Sequence, residues 1–498
     1  MREVALGIDL GTTAVKVGAF DVVSGRPVAV SAQPHELMTP QPDWVELEVE
    51  TYWDCTVRGV RDVMRQAGRD TQVVSIGLAS QGQTFVVLDA QGRPLRPAIV
   101  WIDTRAREEL EEFARAVDYD RFYRNTGVPF PNVIDSAPKI LWVKRHEPDV
   151  FAAARYIIVL PAYIALRLTG EPVADPGNAG STGLLDEGTL GWWPEAVAAV
   201  GVDAALLGRV APSGSMIGGL TSAAAQELGL PEGIPVGTGA NDQSAAAVAM
   251  GNRHPGQLSA TIGTAMAVVG TVAPTDDAYS AGLLVGRHPL GDALSILAYA
   301  KTAAILLTWF RKAFGVKESY EDLTGEAARA PVGCDGLTCI PHLTGMGTPS
   351  FDDGVRGAFL HVGLQHERRH FLRAMVEAVC FGARDSVDQM RAVGAAFGDL
   401  IVSGGATQSP TWMQALADCL RLPVRVPECA EAACRGGALL GLIAAGRRAE
   451  ALAWPASEAG REQRYEPDAD QAPAYDDAYG RYVRAMDTLY PGARRAGV

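Results

Sequence analysis

The stretch Gly7-Ile8-Asp9-Leu10-Gly11-Thr12-Thr13-Ala14-Val15-Lys16 decides how the chain is read. Val4-Ala5-Leu6 precede it and Val17-Gly18-Ala19-Phe20 follow it, so two apolar runs flank a glycine-threonine turn. Apolar runs of this length, bounded by turn residues, predict a β-hairpin of Val4 to Asp9 and Ala14 to Phe20, with Ser24-Gly25 turning the chain again. Glycine in the turn lets backbone approach a phosphate, and the neighbouring hydroxyls and amides can donate to its oxygens. Asp9, at the strand end, is placed to hold a divalent cation through water. The same residues would also serve a plain hairpin turn with a hydrogen-bonded aspartate. They match neither the Walker A pattern nor the dinucleotide fingerprint.

Further along, Val73 to Leu78 reads as a strand, Thr104 to Val117 as a charged helix and Phe151 to Leu168 as a mostly apolar helix. The second half repeats the opening. Gln257 to Val269 reads as strand, glycine turn and strand, with Thr261-Ile262-Gly263-Thr264-Ala265 at its centre. Asp399 to Val402 reads as a strand running into Gly404-Gly405-Ala406 and then a helix through Leu420. One plan used twice predicts two domains, residues 1–245 and 246–498. The boundary falls just past Gly237-Thr238-Gly239-Ala240-Asn241-Asp242, without a Pro/Ser-rich linker, which predicts domains that close on each other rather than drift.

The 498-residue length allows about two to four structural units. A composition 48% hydrophobic and 20% charged fits a soluble α/β enzyme. The formal net charge of −14, with scattered basic residues, excludes the electrostatic footprint of a nucleic-acid or anionic-membrane binder. A neutral small substrate fits better, and a polyphosphate would have to be held locally by backbone amides and Mg²⁺. The N-terminus lacks a signal-peptide pattern, and the longest apolar stretch, Tyr156 to Leu166, contains Pro161 and is well short of the ~20 residues that span a bilayer. The expectation is a cytoplasmic protein. Seven cysteines without CxxC spacing predict neither a disulfide framework nor a zinc site.

Asp242 lies among small residues, Gly239-Ala240-Asn241 before it and Gln243-Ser244-Ala245-Ala246 after it, and a helix is predicted to begin just beyond. An aspartate there can cap that helix. It can equally supply the one carboxylate that phosphoryl transfer to an alcohol requires, aligned with the attacking hydroxyl. Two glycine-hydroxyl turns, one per half, suit a polyphosphate gripped from both sides.

Taken together and in this order, these pieces resemble the FGGY carbohydrate kinases, relatives of actin, hexokinase and the large heat-shock chaperones, and most of all the xylulokinases among them. Asp43-Trp44-Val45-Glu46, Pro97 to Arg105, Ser136 to Trp142, and Leu168-Thr169-Gly170-Glu171 with Ala174-Asp175 add to the likeness. The resemblance implies an α/β fold of two ribonuclease-H-like domains, with ATP and sugar meeting in a cleft between them and a possible homodimer. It implies Asp242 as general base and Asp9 as the Mg²⁺-associated aspartate. Gly11, Thr12, Thr13 and Lys16 would form the first phosphate loop, Gly263 and Thr264 the second, and Gly404, Gly405 and Ala406 the nucleotide site. Gln81, Gly82, Gln83, Asp103, Asp242 and Gln243 would meet the substrate.

Two departures bear on the acceptor. Xylulokinases usually read Gly-Gln-Met-His-Gly where this chain has Ser80-Gln81-Gly82-Gln83-Thr84, whereas glycerol kinases read Asn-Gln-Arg-Glu-Thr. Thr344-Gly345-Met346-Gly347-Thr348-Pro349 stands where many relatives carry Gly-Glu-Arg-x-Pro. The leading expectation is therefore ATP-dependent phosphorylation of a small sugar or polyol. Glycerol, erythritol or another pentulose are alternative acceptors. An ATP-regulated binding protein of the actin and chaperone type is the alternative from another class.

Overall fold

The computed structural model describes residues 1–456 and 461–494. The chain forms two compact units: Met1–Gly251 with Gly286–Ala293 and Cys429–Gly460, and Asn252–Val285 with Leu294–Glu428 and Arg461–Val498. These are not two continuous halves. Residues 429–460, which a cut at 245 assigns to the second domain, lie in the first unit.

Each unit is built on a mixed sheet, and the two sheets share one pattern. In the first, the spatial order runs Pro27–Pro34, Ala14–Asp21, Arg2–Leu10, Thr71–Ser80, Pro235–Asn241, Met216–Gly219. Successive pairs are antiparallel, antiparallel, parallel, parallel and antiparallel. In the second, Leu294–Ala300, Met266–Val272, Leu258–Ile262, Leu400–Ser403, Val424–Pro427 and Glu462–Tyr465 follow one another in the same sequence of directions. The predicted hairpins are present in both: Asp9 pairs with Lys16, and Ile262 with Met266.

The central strands of the first sheet are apolar on both faces, as strands covered on both sides require. On one face Val17 packs with residues of the helix Val49–Ala67, including Val60 and Val63. The other face is covered by the helix Ala432–Ala444, whose sequence AACRGGALLGLIA carries three glycines. A Cβ at Gly7 would lie 1.8 Å from the Cys434 carbonyl oxygen, and one at Gly77 would lie 2.0 Å from that of Gly437. Helix backbone therefore rests directly on strand backbone, which only glycine permits. Fully buried Arg435 fastens the helix by donating to the carbonyls of Gly25, Ala249 and Pro455.

The predicted helix at Thr104–Val117 is shorter, Arg107–Ala116. The one predicted at Phe151–Leu168 is not a single helix. Pro148–Ala153 is helical, Tyr156-Ile157-Ile158-Val159 is a strand, and a second helix covers Leu160–Thr169. The β-branched run favours extended backbone, and Pro161 sits in the first turn of the new helix, where its missing N–H costs nothing. Among the described residues no helix is long and apolar enough to cross a membrane.

Candidate active site

In the first unit three neighbouring parallel strands end together. Asp9 lies opposite Ala79, Leu10 opposite Ser80, and Asn241 opposite Ser80 on its other side. Their carboxyl ends present Asp9, the Gly11–Thr13 turn, the Ser80–Thr84 loop and Asp242 side by side. Open α/β sheets commonly bind ligands at this kind of edge.

Asp242 opens the helix Asp242–Ala249, but it is not the cap. Asn241 fills that role, its side chain accepting from the Gln243 N–H at 3.1 Å. The Asp242 carboxylate is oriented by Gln243, whose backbone N–H donates to Oδ1 at 2.8 Å and whose amide donates to Oδ2 at 3.2 Å. Burial raises the Asp242 pKa to about 6 against the lowering effect of these two donors. For Asp9, burial comes first and the Asp242 charge second, and with Glu431 they outweigh Lys16 and raise the pKa to about 8. Asp9 Oδ1 is buried and has no hydrogen-bond partner.

Lys16 faces Asp9 across the hairpin and donates to Glu431 Oε2 at 2.7 Å. Its ammonium is held above the usual pKa, since the Glu431 bond and the Asp9 charge outweigh burial. Glu431 carries no sequence signal linking it to Lys16, 415 residues away. Only the return of the chain to cover the first sheet brings it here.

A hydrogen-bonded relay joins the Gly11–Thr13 turn to the Ser80–Thr84 loop. Trp101 Nε1 donates to Thr12 Oγ1 at 2.9 Å, Thr12 donates to Gln81 Oε1 at 2.7 Å, and Gln81 Nε2 donates to the Tyr52 hydroxyl at 3.1 Å. Gln81 is buried and its amide is thus engaged on both atoms. Gln83 has a positive φ of 56°; its N–H donates to Ser181 Oγ and its carbonyl accepts from Ser136 Oγ, which leaves the amide side chain outside those bonds. A Cβ at Gly82 would lie 3.0 Å from Ser181 Oγ and 3.5 Å from Asn241 Nδ2, so this glycine brings the loop against Ser181 and Asn241.

Asp103 is held elsewhere. It is fully buried and accepts from the Val45 N–H at 2.6 Å and from the Arg105 guanidinium at 2.7 Å. Arg105 also pairs with Glu46 at 2.8 Å and lies over the rings of Trp44 and Trp142. Arg96 bridges Glu46 and Glu147. Lys139 donates to the Trp101 carbonyl, and burial pushes its pKa down to about 7. Most of the supporting stretches thus converge on one buried ion and aromatic cluster that anchors Trp101, and Asp103 belongs to that cluster.

In the second unit Thr261 and Ser403 are opposite each other on parallel strands, their hydroxyls 3.2 Å apart. The turns that follow, at Gly263-Thr264 and Gly404-Gly405-Ala406, repeat the strand-end arrangement of the first unit. Gly404 has a φ of 95° and a Cβ there would lie 2.5 Å from the Ile262 carbonyl oxygen. Gly263 and Gly405 are different: no positive φ requires glycine, and a Cβ would meet open space. In the Met346 loop, Lys301 pairs with Asp353, and Arg356 donates to the carbonyl of Val355.

Residues 4–249 match the N-terminal domain model of the FGGY family of carbohydrate kinases, and residues 287–445 match its C-terminal domain model. A xylulose kinase of Lactococcus lactis is 30% identical, covering 83% of this chain and 82% of its own. The chain belongs to the FGGY family. It is an ATP-dependent carbohydrate kinase. A glycerol kinase of Chloroflexus aggregans is 29% identical, covering 90% of this chain and 91% of its own. The crystal structure of xylulose kinase from Rhodospirillum rubrum superposes on this FGGY kinase with a TM-score of 0.90 at 28% identity, covering 99% of this chain and 100% of that one.

Proposed function

We propose that this kinase transfers the γ-phosphoryl group of ATP to a hydroxyl of a small neutral ketose or polyol, with Asp242 taking the proton. The observation that carries this reading is the state of Asp242. Asn241 relieves it of capping, Gln243 orients both its oxygens, and a pKa of about 6 leaves it ionised at neutral pH yet basic enough to accept a proton. The incoming hydroxyl hydrogen-bonds to the carboxylate and gives up its proton as its oxygen bonds to phosphorus and the bond to the departing ADP oxygen breaks.

Gly11, Thr12, Thr13 and Lys16 in the first unit, and Gly263, Thr264, Gly404, Gly405 and Ala406 in the second, are assigned to the nucleotide. The open space beside Gly263 and Gly405 supports their part, because nothing in the protein itself asks for glycine there. Asp9 is assigned to Mg²⁺: an unpartnered buried carboxylate oxygen beside Asp242 suits a hard cation that takes one or two carboxylates and completes its shell with phosphate and water. When bound, Mg²⁺ would neutralise charge developing on the phosphates.

For the acceptor, Gln83 and Gln243 offer amide groups suited to a neutral polyhydroxy compound. Gln81 contributes by holding the loop. The absence of the xylulokinase Met-His pair at Gly82-Gln83 favours an acceptor other than D-xylulose, with glycerol, erythritol and other pentuloses as the alternatives. The test is ADP release by the purified protein across D-xylulose, L-ribulose, D-ribulose, glycerol and erythritol. ADP formed with one acceptor and not with the others supports the reading. Slow hydrolysis indifferent to every acceptor would point instead to an ATP-regulated switch.

A further inference from the structure

Two carboxylates stand beside Lys16, those of Asp9 and Glu431, and Glu431 already holds it. Asp9 faces it across the hairpin, and its own electrostatic neighbours are Asp242 and Glu431. Glu431 reaches it from the residue preceding the helix Ala432–Ala444, with a 2.7 Å bond and a φ of 48°. A non-glycine residue in the left-handed region carries strain that its surroundings must offset, and such residues gather at functional sites. The pair is not sealed in the core, since the two side chains are 37% and 30% exposed. An incoming anion can therefore reach it.

We propose that Glu431 is an electrostatic gate on nucleotide binding, occupying Lys16 until a phosphate oxygen replaces it. The proposal rests on the assignment of Lys16 to the nucleotide phosphates. With Lys16 already neutralised by Glu431 at 2.7 Å, a bare polyphosphate meets no net positive charge at the turn and is disfavoured. A nucleotide whose charge is already offset by a divalent cation is not, and it draws Lys16 from Glu431 as it binds. The gate thus discriminates against metal-free nucleotide, and it does so through the ion pair, not through Glu431 touching the ligand. If Glu431 instead presented Lys16 to the phosphate, removing its charge would weaken binding.

The experiment measures ADP binding by calorimetry in EDTA and in excess MgCl₂, for the wild type, E431Q and E431A, with thermal melts to verify folding. The gate predicts that E431Q and E431A bind metal-free ADP about two- to five-fold tighter, the affinity equivalent of losing a partly exposed ion pair. The gain should be smaller with MgCl₂ and should vanish in the K16M background. Unchanged or weaker metal-free ADP binding in both variants, or a gain that persists without Lys16, overturns the gate. If wild-type ADP release with the acceptor panel is intact in that event, only the gate falls. If the wild type neither binds ADP nor releases it with any acceptor, the kinase reading falls with it.

Discussion

A base must be empty when the hydroxyl arrives, and Asp242 holds its proton up to about pH 6. With a saturating acceptor, the rate should fall about tenfold per pH unit below that value and level off above it, in a profile recorded from pH 4.5 to 8. Asp9 carries a different signature. Its folded pKa of about 8 lies above the unfolded value of 3.8, so it contributes stability that is fully present below 3.8 and is lost as pH rises through 8. Asp9→Asn should therefore gain stability relative to the nucleotide-free wild type between pH 5 and 8, read as the difference of the two melting temperatures. At this scale the sequence was informative where neighbours in the chain are neighbours in space: Asp9 with its turn, Asp242 with its small flanking residues. It was uninformative where they are not. Glu431 has no local signal. Gln81 and Asp103 are polar residues in motif stretches, yet both side chains are used by other protein groups, Thr12 and Tyr52 for one and Arg105 and Val45 for the other.

Glycines divide into two kinds at the scale of elements. Gly7 sets how closely the helix Ala432–Ala444 lies on the first sheet, and a methyl group there would meet the Cys434 carbonyl at 1.8 Å. Gly7→Ala should cost about 1–3 kcal/mol or more by chemical denaturation, because neither backbone can give way without moving the element. Gly263→Ala and Gly405→Ala meet open space and should stay within about 0.5 kcal/mol of the wild type. If phosphate approaches these turns, both variants should nevertheless bind ADP more weakly. The hairpins were readable because their apolar runs and turn residues agree. The stretch 151–168 was misread because its mean apolarity suits strand and helix equally, and the break is set by β-branched Ile157-Ile158-Val159 followed by Pro161.

For the whole molecule, one sheet plan used twice was visible in the recurrence of the glycine turns, but the chain's return to its first unit was not. Val22, Ala79 and Ala240 of that unit share a buried cluster with Cys434, Leu439, Leu440 and Trp454. Residues 1–251 expressed alone should leave this face bare and bind a hydrophobic dye, whereas co-expression with residues 429–460 should lessen the binding. The catalytic claim is tested most directly by Asp242→Asn, assayed for acceptor-dependent ADP formation alongside ADP binding. Loss of turnover by about 10²–10⁴-fold with ADP affinity retained is the predicted result. Acceptor-dependent turnover at the wild-type rate in this variant would contradict the assignment of Asp242 as the base.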